Sequence, residues 1–198
     1  MNKPALLLLL VYICCAHADK QNPTTANYTG RHKEALAYCR EKGFCTVYYL
    51  LADLSIHSGR DRFFVYDFQK RKITDKGLVT HGSCDVFEDN PGKYENAKFD
   101  NRDGSHCSSG GKYKIGKRDY SSWGIKIKYW LEGLEPSNSN AKQRVVVLHS
   151  WEAVANEEIY PQYSPLSWGC PAVSDEFMKM LDTKLQATDK PVLLWVIK

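Results

Sequence analysis

A chain of 198 residues suits one domain with a full hydrophobic core. Its formal net charge of +4 is too small to argue for a nucleic-acid partner, and its composition is that of an ordinary soluble protein. It contains no internal repeat and no low-complexity tract.

Residues 1–18 read as a secretory signal. Lys3 supplies the basic start, residues 6–14 the apolar run, and Ala16-His17-Ala18 a small-x-small cleavage site. The run is too short to span a bilayer, so no transmembrane segment is expected. A lipid anchor on Cys14 or Cys15 is the alternative; the bulky Tyr12 and Ile13 just before them make a poor lipidation site. The mature chain, carrying +3, is therefore expected to be exported to the periplasm or cell envelope.

Export changes how the cysteines read. Cys39, Cys45, Cys84, Cys107 and Cys170 remain, so in an oxidising compartment four can pair and one is left over as a reactive thiol. Sequence proximity favours Cys39–Cys45 and Cys84–Cys107, although other connectivities are possible. His81-x-x-Cys84 with His106-Cys107 offers a rival zinc set. Adjacent ligands at 106 and 107 are unusual and exported thiols oxidise, so neither a metal nor another cofactor is expected.

Residues 19–30 are polar and form a loose lead-in. A helix is expected over 32–42, with Ala35, Leu36 and Cys39 on one face and Gly43 as its stop. Residues 19–47 thus form a lead-in and helix packed on a domain of residues 48–198. Residues 45–54 are apolar and β-rich, and strands are expected at 62–68, 71–74 and 76–81. Residues 85–109 are rich in Asp, Asn, Gly and Ser; a loop of that length inside a compact domain is usually functional. Alternation over 124–130 marks a half-buried strand with Lys126 and Lys128 outward. After a turn-rich stretch at 135–143, a strand ends in His149. Ser174 caps a further helix with Asp175 and Glu176 in its first turn and an apolar stripe of Phe177, Met178 and Leu181. A last strand spans 191–197. Pattern alone supports a β-rich domain with a few helices.

The chemistry concentrates in Ser167-Trp168-Gly169-Cys170-Pro171-Ala172, preceded by His149 at the end of Arg144-Val145-Val146-Val147-Leu148. A thiol is nucleophilic as thiolate, and at neutral pH a free cysteine is mostly protonated. A histidine within reach takes that proton, the nucleophile-plus-base arrangement of acyl transfer. Such activation predicts alkylation of Cys170 well below the pH of a free thiol. The bland alternative is a buried, space-filling cysteine with a structural histidine.

These motifs resemble the murein L,D-transpeptidase catalytic domain family, the YkuD-like L,D-transpeptidases. That family carries His followed by Gly or Ser, a short interval, then Ser/Thr-x-Gly-Cys, as in His149-Ser150 and Ser167-Trp168-Gly169-Cys170. Leu78-Val79-Thr80-His81-Gly82 and Ser108-Ser109-Gly110-Gly111-Lys112-Tyr113 agree, and the resemblance covers residues 48–198. It implies a mainly β fold, a sandwich of mixed sheets with two or three short helices and the cysteine at the floor of a cleft. It also implies attack by Cys170 on a peptidoglycan stem tetrapeptide, loss of D-Ala, and resolution of the thioester by an acceptor amine of a neighbouring stem. Carbapenems are expected to acylate the same sulfur.

Carried over by residue, Cys170 is the nucleophile, His149 the base, and the Ser150 carbonyl the partner fixing the imidazole. The amides of Gly169 and Cys170 are the oxyanion donors, and Ser167 braces the turn. His81 shapes the donor pocket or replaces His149 as base, while Trp168 and Tyr113 line the cleft. The chain departs from the family at Trp168 and Ala172, where relatives carry His or Arg and Arg or Asn. Hydrolysis by the same site, or wall binding through an aromatic cleft without chemistry, remain as alternatives.

Overall fold

The computed structural model describes residues 27–198, so the signal sequence, its cleavage site and most of the lead-in lie outside the described residues. None of the described helices is long and apolar enough to cross a membrane. Helix α1 (Thr29–Lys42) leads into strands β1 (Tyr48–Asp53), β2 (Phe63–Asp67) and β3 (Lys72–Gly77). After the long loop come β4 (Gly111–Tyr120), β5 (Ile127–Gly133), a short 3-10 turn (Pro136–Asn138) and β6 (Val147–Ser150). The chain closes with β7 (Ala172–Val173), helix α2 (Asp175–Gln186) and β8 (Val192–Ile197).

All eight strands join one mixed sheet in the order β3-β2-β1-β8-β4-β5-β6-β7. β1 with β8 and β6 with β7 run parallel. The other pairs are antiparallel. The sheet nearly closes on itself. The segment after β3 returns along its far edge, where Thr80 N–H donates to Ala172 O at 2.9 Å and Ser167 N–H to His81 O at 2.9 Å. The described residues are thus mainly β with two α-helices, and the mixed pairing arises within one curled sheet.

Period-two alternation sorts β1 and β8 between two cores. Leu50, Ala52, Leu194 and Val196 point into the larger core, closed by Met178 and Leu181 of α2. Tyr49, Leu51, Leu193 and Trp195 face the other way and receive Ala35 and Cys39 of α1. These strands are buried on both faces, which is why their sequences read as continuous apolar runs. Ser174 caps α2, its hydroxyl accepting from Phe177 N–H at 3.3 Å.

Several expectations shift. α1 starts at Thr29, inside the stretch expected to be loose, and Tyr28 ahead of it donates its hydroxyl to the Asp53 carboxylate at 2.6 Å. That buried anchor orders backbone that composition marks as polar. The strands expected at 71–74 and 76–81 are one strand, Lys72–Gly77, followed by an extended segment bonded to the β7 edge. Only Val147–Ser150 of the run ending in His149 enters the sheet. Val145 adopts φ 55°, and the amides of Val145 and Val146 turn back to the carbonyls of Lys142 and Ala141. The Cys84–Cys107 disulfide is formed, whereas Cys39 and Cys45 are free thiols. Cys39, on the buried face of α1, packs in the smaller core and Cys45 in the larger, so the two side chains serve different apolar clusters.

Leu194 is fully buried mid-sheet, paired to Leu50 on one side and Tyr113 on the other. Leu194→Ala is expected to cost about 2–5 kcal/mol, the range for emptying a packed aliphatic site. A urea titration by far-UV circular dichroism measures it.

Candidate active site

Two parallel register pairs, His149↔Ala172 and Ser150↔Val173, build the site. The β6 amides carry the ladder: His149 N–H reaches Pro171 O at 3.5 Å and Trp151 N–H reaches Val173 O at 2.9 Å. With Ala172 held opposite His149, Cys170 is fixed just outside the ladder beside the same strand. Cys170 and His149 both line a cavity of about 360 Å³, together with Trp123, Trp151, Leu166, Ser167 and Trp168.

His149 is buried, and its Nδ1–H donates to the Ser150 carbonyl at 2.9 Å. That bond commits Nδ1 and leaves Nε2 as the unprotonated nitrogen. Ser150 is itself fixed, its hydroxyl accepting the Ile125 amide at 3.0 Å. The Cys170 sulfur accepts the Val147 N–H at 3.5 Å and donates to the Val145 carbonyl at 3.6 Å. Its hydrogen bonds therefore go to the backbone of residues 145 and 147 in this rotamer; catalytic contacts often tighten only once substrate is bound.

Burial dominates the electrostatics. It pushes the Cys170 thiol above its ordinary pKa, and the Val147 amide and the charges of Arg144 and Lys128 oppose this without reversing it. Burial also lowers His149, the Ser150 hydrogen bond opposing and Lys128 assisting. Both shifts favour the neutral forms of thiol and imidazole. The direction runs against the expectation of a thiol ionising below the ordinary range, which counted the histidine and not the desolvation.

The turn is built for conformation as well as chemistry. Gly169 sits at φ 106°, where a side chain would run into the Cys107 carbonyl and crowd the Arg144 guanidinium. Its amide donates to Ser167 Oγ at 3.1 Å. The expectation of a free Gly169 amide as oxyanion donor is therefore corrected: Ser167 takes it. The Cys170 amide has no hydrogen-bond partner among the described residues. Ser167 is also tied at its backbone, to His81 O and from Ser83 N–H.

His81 lies elsewhere. It is 1% exposed, its Nδ1 accepts from Arg62 Nη2 at 2.9 Å, and its Nε2–H donates to Lys93 O at 2.6 Å. Both nitrogens are occupied and the ring does not line the cavity, which corrects its assignment to a donor pocket or to the base. Burial, with Arg62 adding to it, lowers its pKa to about 4. Tyr113 is likewise buried and lines a small void behind the Gly169-Cys170-Pro171 turn, not the cleft. Its hydroxyl donates to Ser109 O at 2.7 Å. Trp168 lines the cavity and is 76% exposed. The zinc set does not exist, because Cys84 and Cys107 spend their sulfurs on each other.

Trp123, Trp151 and Arg144 were not anticipated. Trp151 carried a signal, standing two residues after His149 and so on the same strand face. Arg144 binds the Asp100 carbonyl at 2.9 Å and Ser109 Oγ at 3.1 Å, and also the Cys107 carbonyl, pinning the long loop behind the turn. No local pattern marks it, since its partners lie far away in sequence.

The sequence model of the L,D-transpeptidase catalytic domain matches residues 22–194. The chain belongs to that family. No curated protein sequence matches it. Among solved structures it is similar to the helical cell shape determining protein Pgp2 from Campylobacter jejuni, at 14% identity and TM-score 0.47, over 76% of this chain and 47% of that one. An L,D-transpeptidase from Xylanimonas cellulosilytica matches at 9% identity and TM-score 0.43, over 81% and 68%. Bd1075 of Bdellovibrio bacteriovorus matches at 16% and 0.44, over 79% and 49%. The chain therefore spans about half the length of Pgp2 and of Bd1075.

Two predictions follow from the charge states. Alkylation of Cys170 by iodoacetamide, followed by mass spectrometry, is expected to rise with a midpoint above the ~8.5 of a free thiol. A plateau already reached at neutral pH refutes the neutral resting pair. For His81 the depressed pKa means that the unfolded chain binds the proton first. Its contribution is complete above the ordinary imidazole pKa of about 6.5 and is lost as pH falls through about 4. His81→Asn is expected to flatten the loss of stability over that window, read from urea midpoints against pH.

Proposed function

We propose that the chain is an exported cysteine L,D-transpeptidase acting on peptidoglycan stem peptides. What carries the reading is the parallel pairing that holds Cys170 and His149 on one cavity with His149 Nδ1 committed to Ser150. Family membership supplies the reaction class. The exported location rests on the signal at residues 1–18, and the Cys84–Cys107 disulfide suits an oxidising compartment.

His149 Nε2 removes the thiol proton as the Cys170 sulfur attacks the carbonyl ahead of the terminal D-Ala of a donor tetrapeptide. The Cys170 amide meets the developing oxyanion. Collapse breaks the peptide bond, the D-Ala amine leaves with the proton from His149, and a thioester remains on Cys170. An acceptor amine from a neighbouring stem then attacks the thioester and gives its proton to His149. Expulsion of the sulfur, which takes that proton back, releases the cross-linked product. A neutral resting pair suits this sequence, because the imidazole must begin unprotonated. Resolution by water instead gives L,D-carboxypeptidase activity from the same residues.

Incubation with a disaccharide-tetrapeptide is expected to release D-Ala and to show a thioester adduct on Cys170 by mass spectrometry, with dimer appearing when acceptor is supplied. Monomeric tripeptide alone, at saturating acceptor, identifies the hydrolase. Cys170→Ser is expected to abolish turnover, and His149→Ala to lower kcat by about 10²–10⁴-fold. Full activity in Cys170→Ser rejects the assignment. Carbapenem is expected to add covalently to Cys170 and to leave Cys170→Ser unlabelled.

A further inference from the structure

Trp168 is out of place for a side chain two residues from the partly buried Cys170. It is 76% exposed, although burying an aromatic of this size is worth roughly 1.5–3 kcal/mol. It is nevertheless not loose. The His106 ring lies parallel to the indole, with an interplanar angle of 2° and a centroid separation of 4.6 Å. One face of the indole is thus covered and the other is presented to solvent at the mouth of the cleft.

Both halves of this stack hang from one segment. Ser83 N–H donates to Ser167 O at 3.0 Å, next to Trp168. Cys84 N–H donates to His106 O at 3.2 Å, and the Cys84–Cys107 disulfide clamps the neighbouring residue. Gly82 packs against the backbone of residues 106–108, where any side chain would collide. Arg144 holds the Cys107 carbonyl from behind. A flat surface fixed in this way loses little side-chain entropy when a ligand lands on it.

The chemistry of the surroundings narrows the occupant. Behind Trp168 the cavity wall is Trp123, Trp151 and Leu166, with Ser167 its hydroxyl and no Asp, Glu, Lys or Arg among its lining residues. Trp123 is half-exposed and packs edge-on to Trp151 at 5.7 Å. Open aromatic faces without ionic partners suit a ligand with a broad C–H face and neutral polar edges. A pyranose ring has that shape, whereas an aliphatic stem peptide has no flat face to offer. We propose that the open face of Trp168 is a stacking platform for a sugar ring of the glycan strand, which holds the attached stem peptide in register with Cys170. The inference rests on the function proposed above and makes Trp168, seated on His106, a determinant of preference for glycan-linked over free stem peptide.

The test uses a glycan without peptide, chitotetraose, titrated into the protein and followed by tryptophan fluorescence and by NMR of the indole N–H signals. Saturable binding is expected, weakened at least about tenfold in Trp168→Ala and largely kept in Trp168→Phe, which retains a flat face. His106→Ala, which removes the support, is expected to weaken binding severalfold. Circular dichroism confirms that the variants fold, as the exposure of Trp168 leads one to expect. Absence of saturable binding, or equal affinity in Trp168→Ala, overturns the proposal. The assay needs no turnover. A protein that binds chitotetraose through Trp168 but forms no acyl-enzyme refutes the transpeptidase reading alone, and an active protein whose Trp168→Ala variant binds the glycan unchanged refutes the platform alone.

Discussion

The site depends on the parallel ladder between β6 and β7. β7 is two residues long, yet it sets where Cys170 stands relative to His149, because Ala172 is paired opposite His149. So short a strand cannot hold itself. Thr80 supports it from the outer side, giving its amide to Ala172 O and accepting the Ala172 amide on its hydroxyl at 3.0 Å. The same hydroxyl donates to the Cys170 carbonyl at 3.1 Å. The near-closure of the sheet is therefore a property of the site: the strand that follows the cysteine is covered on both edges.

Two effects compete for the charge state, and burial wins. Arg144 and Lys128 both favour thiolate, but Arg144 is spent on loop carbonyls and Lys128 reaches the site only through space. Desolvation acts on the sulfur directly. Each pKa unit corresponds to about 1.4 kcal/mol, so distant screened charges do not offset the loss of water around a thiolate. In the reaction proposed above, the proton would then move during attack instead of beforehand, to an imidazole that burial also favours as neutral.

What the sequence disclosed follows the range of the interactions concerned. The Ser174 cap and the apolar strands around Leu50 and Leu194 are each set by neighbours in sequence or by simple periodicity, and they were legible, as was the pairing of Cys170 with His149 that the fold brings to one cavity. The Cys84–Cys107 clip was legible from proximity. By the same reasoning Cys39 and Cys45 were paired in expectation, and this failed because their side chains pack in different apolar clusters, a fact of topology. His81 misled for a related reason. Its His-Gly neighbourhood suggests a site, but Arg62, also 1% exposed or less, needs an acceptor among its buried partners and His81 Nδ1 supplies one beside the Val79 and Ile56 carbonyls.

The loop at residues 85–109 shows how a stretch without regular structure becomes part of a rigid site. Its ends are joined by the disulfide, and its returning half is held by Arg144 through Asp100, Ser105, Cys107 and Ser109. The Cys107 carbonyl that Arg144 grips is the atom against which Gly169 packs, so loop, guanidinium and nucleophile turn share one contact. Glycine at 169 is then required twice over, by its positive φ and by the carbonyl beside it. The loop that its length marked as functional is the back wall against which the cysteine is set.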